Sequence, residues 1–248
     1  MSVLQPLPAA APLILHYLPG RTGKLVVALA GIGTRPDRAP EPEFVASAHD
    51  GGQNHVLFVS DNSRSWLNHP GLAEAITAAV RGLAAQIGAE RVLALGNSMG
   101  GTMALMLAPM LRPDFILAFV PQFSIHPDLV PDETRYEDYS RSIAQWRYPA
   151  VPDLEAAGIG AIIVHGNRSR EGLHWRRFPQ AHSRVLHFII PRAGHSLARL
   201  LNTEGRLHPM IRAAARGNVF RIRQIIREAG GVSRHIYETR HPAPAKEA

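Results

Sequence analysis

Residues 96–100 have the pattern Gly-x-Ser-x-Gly, with a serine between two glycines. This pattern is typical of a site for nucleophilic chemistry. A serine hydroxyl attacks a carbonyl only when the backbone presents it clear of its neighbours and a base takes its proton. A tight strand-to-helix turn presents the hydroxyl, and it brings the two glycines so close that a Cβ on either would crowd there. The pattern therefore predicts that Ser98 is a nucleophile.

The segments on either side of the motif fit such a turn. The apolar run Val92–Leu95 leads into it, and a helical pattern over Met103–Leu111 leads out. The amide of Met99 would then open the helix and point to where an oxyanion forms, assisted by the helix dipole. An incidental serine in a glycine-rich turn is the alternative.

With this context, the sequence resembles the α/β-hydrolase superfamily from about Leu25 to Leu201, through motif order rather than overall identity. Its members order their catalytic residues as serine, acid and histidine. The resemblance implies a serine hydrolase that forms an acyl-enzyme and needs no cofactor. His195 lies four residues beyond the candidate strand Val185–Ile190, where a general base can reach the serine, so it is predicted to be the base.

The acid of the triad is less clearly marked. Glu171 is the only Asp or Glu between residues 156 and 203, but it comes six residues after the candidate strand ending at His165, later than the superfamily's usual acid. The usual place holds Asn167, which can orient an imidazole but cannot offset its charge. The resemblance favours Glu171, and an acid from the segment 128–138, or no ionised acid, stays open.

The resemblance also implies a second oxyanion donor in the loop after the candidate strand Leu25–Ala30. The amide of Ile32 is the predicted donor, with that of Gly33 as the alternative. The same loop does not match a dinucleotide-binding fingerprint, because Pro36 stands where the last glycine is needed.

Three further side chains are candidates for substrate binding. Gln122 follows a candidate strand and should lie near the rim of the site, while Trp66 offers an apolar face and Arg64 an anion clamp. Packing and solvation of loops explain each of them equally well. The thirteen histidines show no metal-ligand spacing, so no metal is predicted.

Apolar runs alternate with helical patterns along the chain, which predicts a single domain of three α/β/α layers around a mostly parallel sheet of about seven strands. The predicted helices cover Gly71–Ile87, Met99–Leu111 and a stripe from Ile222 to Ala229. The candidate strands are Leu13–Leu18, Leu25–Ala30, His55–Ser60, Val92–Gly96, Phe115–Val120, Ala161–His165 and Val185–Ile190.

Two regions depart from this alternation. The segment 122–154 is rich in proline and acidic residues and too long for a simple connection, so it is predicted to be a lid or specificity loop. Residues 204–240 are predicted to form a basic helical extension, since residues 201–248 hold nine Lys or Arg against four Asp or Glu.

The composition limits the chemistry and the classes of partner that can be expected. The 248 residues are 46% hydrophobic, carry a net charge of +7 and include no cysteine, which excludes thiolate chemistry and disulfides. No apolar run is long enough to span a membrane and no export signal is evident, so a cytoplasmic protein with a small acyl or ester substrate is expected. Because nearly all the positive charge is arginine spread along the chain, no nucleic acid is expected. An acyltransferase and a catalytically inactive binding module are the alternative functions, and the sequence does not indicate the oligomeric state.

Overall fold

The computed structural model describes residues 3–155, 158–179 and 183–242, and these contain one nine-stranded sheet. Its strands are β1 (Gln5–Leu7), β2 (Leu13–Leu18), β3 (Lys24–Leu29), β4 (His55–Asp61), β5 (Arg91–Asn97), β6 (Phe115–Phe119), β7 (Ala161–Gly166), β8 (Val185–Ile190) and β9 (Val232–Ser233). They are arranged in the order β1-β2-β4-β3-β5-β6-β7-β8-β9. The pairs β1–β2, β2–β4 and β8–β9 are antiparallel and the others are parallel.

The predicted α/β fold with a mostly parallel sheet is confirmed, and all seven predicted strands are present. The count of about seven was too low, because β1 and β9 add an antiparallel strand at each edge. These strands have three and two residues, too few to produce a periodic pattern, and Pro6 lies inside β1.

Helices cover both faces of the sheet. They are α1 (Val45–His49), α2 (Leu72–Gln86), α3 (Met99–Met106), α4 (Ala108–Leu111), α5 (Glu137–Ser142), α6 (Gly172–Trp175), α7 (Leu197–Thr203), α8 (Leu207–Ala215), α9 (Val219–Glu228) and α10 (Arg234–Arg240), with a 3-10 turn at Asp50–Gly52. The predicted helix Met99–Leu111 is divided into α3 and α4, because Pro109 cannot donate the backbone hydrogen bond that would continue a single helix.

Successive strand residues point to opposite faces and build two apolar cores. Leu25 and Val27 of β3 pack with α2 and α3 on one face, whereas Val26 and Ala28 pack with α7, α8 and α9 on the other. Helix α3 is buried along its whole length, as its apolar residues on every side predict. It therefore fixes the motif at its start rigidly against the sheet.

The segment 122–154 lies next to the carboxyl ends of the parallel strands. It carries α5 and buries Ile125, Val130, Tyr136 and Val151 in the core on the α2 and α3 side. Within the basic C-terminal region, α8 and α9 bury Met210, Ile211, Ile222 and Ile225 against the opposite face of the sheet. Among the described residues, no helix has the length and apolarity needed to cross a membrane.

Candidate active site

Ser98 occupies a strained turn between β5 and α3. Its backbone has φ of 55° and ψ of −125°, which side-chain-bearing residues rarely adopt. A Cβ at Gly96 would lie 2.3 Å from the carbonyl carbon of Gly100, and a Cβ at Gly100 would lie 2.0 Å from the backbone oxygen of Leu29. Only glycine fits either position, so the turn has the tightness that the sequence pattern predicts.

Three side chains form a continuous hydrogen-bonded chain at the carboxyl edge of the sheet. The hydroxyl oxygen of Ser98 lies 2.9 Å from Nε2 of His195, and Nδ1 of His195 lies 2.9 Å from Oε1 of Glu171. An ionised carboxylate only accepts hydrogen bonds, so the imidazole donates from Nδ1 and its Nε2 accepts from Ser98. Ser98 and Glu171 are buried, whereas one third of the His195 side chain is exposed.

Glu171 reaches His195 in spite of its late position because the loop before it folds back. Ser169 and Arg170 both have positive φ, at 58° and 64°, and α6 begins directly after Glu171. Asn167 instead accepts a hydrogen bond from the amide of Arg192 and donates one to the hydroxyl of Tyr237. The residue at the usual place of the acid therefore links the end of β7 to the loop after β8 and to α10, and its hydrogen bonds do not go to the histidine.

A second set of charges surrounds Glu171. Nη1 of Arg135 donates to Oε1 of Glu171 over 3.0 Å, and the same guanidinium pairs with Glu133, which also contacts Nε2 of His174 at 2.8 Å. Burial raises the pKa of Glu171, but the hydrogen bond from His195 and the electrostatic effects of His165, His195 and Arg135 outweigh it and hold that pKa below its ordinary value. Glu171 is therefore an ionised carboxylate at neutral pH.

Gln122 lies buried beneath Ser98, not at the rim where it was predicted. Its Oε1 lies 3.0 Å from the indole nitrogen of Trp66, which can only donate, so the side-chain amide has one possible orientation. Its Nε2 consequently donates to the Ser98 hydroxyl at 3.1 Å and to the Tyr136 hydroxyl at 3.0 Å. This orientation makes Ser98 an acceptor from Gln122 and leaves its own proton for His195.

The loop after β3 lies beside the nucleophile. A Cβ at Gly31 would lie 3.8 Å from Cβ of Ser98, and the amide of Gly31 donates to Oε1 of Glu43 over 3.2 Å. Burial raises the pKa of Glu43 to about 7, although the bond from Gly31 and the nearby His195 oppose this shift. Ile32 follows Gly31 in this loop, and Met99 follows Ser98 and begins α3.

The contacts of Arg64 and Trp66 contradict their predicted role in substrate binding. The buried guanidinium of Arg64 donates to the carbonyl oxygens of Ile32, Asn62, Arg35 and Arg38. It holds the loop after β3 and is not available to an anion. The ring of Trp66 is completely buried in the core and presents no face to a substrate.

Sequence reasoning missed three residues of this site, Arg135, Tyr136 and Glu43. All three belong to long loops without periodicity, so their distance from Ser98 in the sequence gives no indication of contact. The pair Arg135-Tyr136 is not a distinguishing local signal either, because Arg147 and Tyr148 form the same pair in the same segment.

The arrangement brings a serine hydroxyl, an imidazole and a carboxylate into one chain of hydrogen bonds. Throughout the described ranges, no group of three or more His, Cys, Asp or Glu side chains is arranged to hold a metal ion. Acyl transfer through a serine hydroxyl is a reaction that these three groups together can support.

Comparison with known proteins places the fold among the α/β hydrolases. No protein-family model matches the chain, and no curated protein sequence is similar to it. A hormone-sensitive lipase from a metagenome library superposes with a TM-score of 0.61, at 11% identity, over 90% of this chain and 84% of the lipase. An alpha-beta serine hydrolase homologue from Coxiella burnetii gives 0.51 at 12% identity, covering 86% and 96%.

A transferase shares the same fold. The capsule O-acetyltransferase of Neisseria meningitidis serogroup A superposes with a TM-score of 0.55, at 12% identity, over 82% of this chain and 92% of the transferase. At these identities the similarity establishes the α/β-hydrolase fold and leaves the activity to be argued from the site.

Proposed function

We propose that this protein is a serine hydrolase that cleaves an ester or related acyl bond through an acyl-enzyme. The observation that carries the proposal is the chain of hydrogen bonds from Ser98 through His195 to Glu171, with both links at 2.9 Å. Such a chain lets the imidazole accept the serine proton while a carboxylate stabilises the resulting cation.

In the first half-reaction, Oγ of Ser98 attacks the acyl carbon and its proton moves to Nε2 of His195. The tetrahedral intermediate then collapses, the bond to the leaving oxygen breaks, and His195 returns the proton to that oxygen. The amides of Met99 and Ile32 donate hydrogen bonds to the oxyanion. In enzymes of this kind, loss of one such donor typically lowers the rate by about 10²–10³-fold. In the second half-reaction, water attacks the acyl-serine and gives its proton to Nε2 of His195. The bond from the acyl carbon to Oγ of Ser98 then breaks, and His195 returns the proton to Oγ as the carboxylic acid leaves.

An acyltransferase is the second candidate, in which an alcohol or sugar hydroxyl replaces water in the second half-reaction. The shared fold of the capsule O-acetyltransferase makes this worth testing. Product analysis with p-nitrophenyl acetate, with and without added alcohols or sugars, separates the two because a transferase yields mainly the new ester, whereas a hydrolase yields mainly acetate. The inactive binding module loses its support from the sequence, since Glu171 supplies a carboxylate to His195.

A fluorophosphonate probe tests the nucleophile directly. The wild type is expected to be labelled at Ser98, and the Ser98→Ala variant is expected to be unlabelled and to have lost ester hydrolysis. Ser142→Ala is the matched control, because its exposed hydroxyl only bonds the backbone of Tyr139. Labelling that is unchanged in Ser98→Ala would overturn the assignment.

A further inference from the structure

Tyr136 is a buried residue of the segment 122–154 whose hydroxyl lies at the reacting groups. Its oxygen is 3.4 Å from Nε2 of His195, 3.0 Å from Nε2 of Gln122 and in contact with Ser98. The ring is 4% exposed and packs edge-on against Trp66, with their centroids 5.2 Å apart. The hydroxyl is therefore held in place before any substrate binds.

The hydrogen bonds around this hydroxyl limit the directions in which it can donate its proton. Trp66 sets the orientation of the Gln122 amide, so the Tyr136 oxygen accepts a hydrogen bond from Gln122. Nε2 of His195 already accepts the shorter bond from Ser98. The proton of Tyr136 consequently does not point toward Gln122 and can turn toward the space in front of Nε2.

That space belongs to the leaving group. During acylation His195 must pass its proton from Nε2 to the departing oxygen, so this oxygen comes within hydrogen-bond distance of Nε2. The attacking oxygen of water or another acceptor occupies the same place in the second half-reaction, which is the reverse of the first. A donor beside Nε2 thus faces the oxygen that leaves and the oxygen that enters.

We propose that Tyr136 is a catalytic residue whose hydroxyl donates a hydrogen bond to the leaving-group oxygen and then binds the hydroxyl of the acyl acceptor. This role rests on the proposed serine-hydrolase function and makes the segment 122–154 the acceptor-binding part of the site. Tyr136 keeps its proton throughout, and His195 performs the proton transfer. Burial raises the pKa of Tyr136 to about 12, in spite of the neighbouring positive charge of Arg135, so the hydroxyl stays a donor across the working pH range.

The dependence of rate on the leaving group tests this role. A p-nitrophenolate ion leaves without help, whereas an alkoxide needs stabilisation, so Tyr136→Phe should lower kcat/KM about tenfold more for ethyl acetate than for p-nitrophenyl acetate. The ratio of the two rates is measured on one preparation and does not depend on the fraction folded. Tyr139→Phe is the matched control, since it removes a hydroxyl from the same segment, and it should leave the ratio unchanged.

The outcomes separate this inference from the proposed function. One outcome is that fluorophosphonate labels Ser98 while Tyr136→Phe lowers the rates for ethyl acetate and p-nitrophenyl acetate equally, or lowers neither. In that case Tyr136 has no role at the leaving oxygen, and the serine-hydrolase proposal survives. An unlabelled Ser98 in the wild type would overturn both. A selective loss for the alkyl ester, absent in Tyr139→Phe, supports the proposed role.

Discussion

Arg135 and His195 donate to the same oxygen of Glu171, with Nη1 of the arginine at 3.0 Å and Nδ1 of the histidine at 2.9 Å. The arginine comes from the segment 122–154, so this segment contacts the acid of the candidate triad as well as the nucleophile. Because one carboxylate oxygen serves both donors, the position of the acid depends on this segment being docked.

Replacing Arg135 should destabilise the protein strongly. Its guanidinium compensates the buried carboxylates Glu133 and Glu171, and Arg135→Met leaves both with less positive charge. We expect a loss of about 3 kcal/mol in the free energy of unfolding, at the lower end for a broken buried pair because one quarter of the arginine is exposed. Urea unfolding measures this loss.

Arg141→Met is the control for that experiment. Arg141 also pairs with acidic side chains of the same segment, but it is 68% exposed, so its removal should cost at most about 0.5 kcal/mol. Equal losses in the two variants would show that Arg135 is only another surface residue.

Glu171→Gln should lower the turnover rate by about 10²–10⁴-fold with folding intact, the scale of a triad carboxylate lost. A neutral amide can still hold the ring of His195, but it does not offset the positive charge that the ring acquires when Ser98 gives up its proton. Steady-state hydrolysis of p-nitrophenyl acetate measures the effect. Asp132→Asn, in an exposed part of the segment 122–154, should stay within about threefold of wild type. If the turnover rate of Glu171→Gln also stays within about threefold of wild type, another group must orient His195.

The parts of the fold that follow from local patterns were predictable. Buried parallel strands are short continuous apolar runs, and β3 to β8 each have one, so their positions along the chain could be predicted. The strained turn at Ser98 was also predictable, because both glycines of the motif are needed for purely local steric reasons.

The surroundings of the site were not predictable in the same way. Arg135 and Glu171 are 36 residues apart, and their contact depends on how two irregular loops pack. The sequence also makes Arg64 and Trp66 resemble substrate-binding residues. An arginine that satisfies buried carbonyls has the same local sequence signal as one that binds an anion, and only the tertiary fold separates the two.

Gly100→Ala should severely disturb folding. The new Cβ would lie 2.0 Å from the backbone oxygen of Leu29, in the strand that neighbours β5, and this backbone cannot move without breaking the sheet. We expect a loss of about 3 kcal/mol or more, measured by thermal unfolding followed by circular dichroism.

Gly82→Ala is the matched control for this substitution. Nothing lies within 4 Å of its Cβ position, which is inside α2, so the helix should gain about 0.5–1 kcal/mol. A Gly100→Ala protein as stable as the wild type would mean that the turn is looser than its contacts indicate.

The carboxyl group of Glu43 should make stability depend on pH. Burial raises its pKa to about 7 in the folded protein, above the ordinary value of 4.5 that applies when the chain is unfolded. Below pH 4.5 the group is protonated in both states, and the favourable contribution of its neutral form is fully present. As the pH rises through 7 that contribution is lost, because the unfolded chain gives up this proton more readily than the folded protein.

Glu43→Gln removes the titration and keeps an oxygen to accept from Gly31. The variant should therefore gain stability relative to wild type by on the order of 3 kcal/mol between pH 4.5 and 7.5. Urea unfolding at several pH values measures the difference, and Glu41→Gln, an exposed substitution in the same loop, should show no such trend. The charged groups near Glu43 are His195, which opposes the rise of its pKa, and Arg35, Arg38 and Glu41, which line the same cleft. A constant difference between Glu43→Gln and wild type over this range would mean that these positive charges keep the carboxylate ionised at low pH, contrary to the effect of its burial.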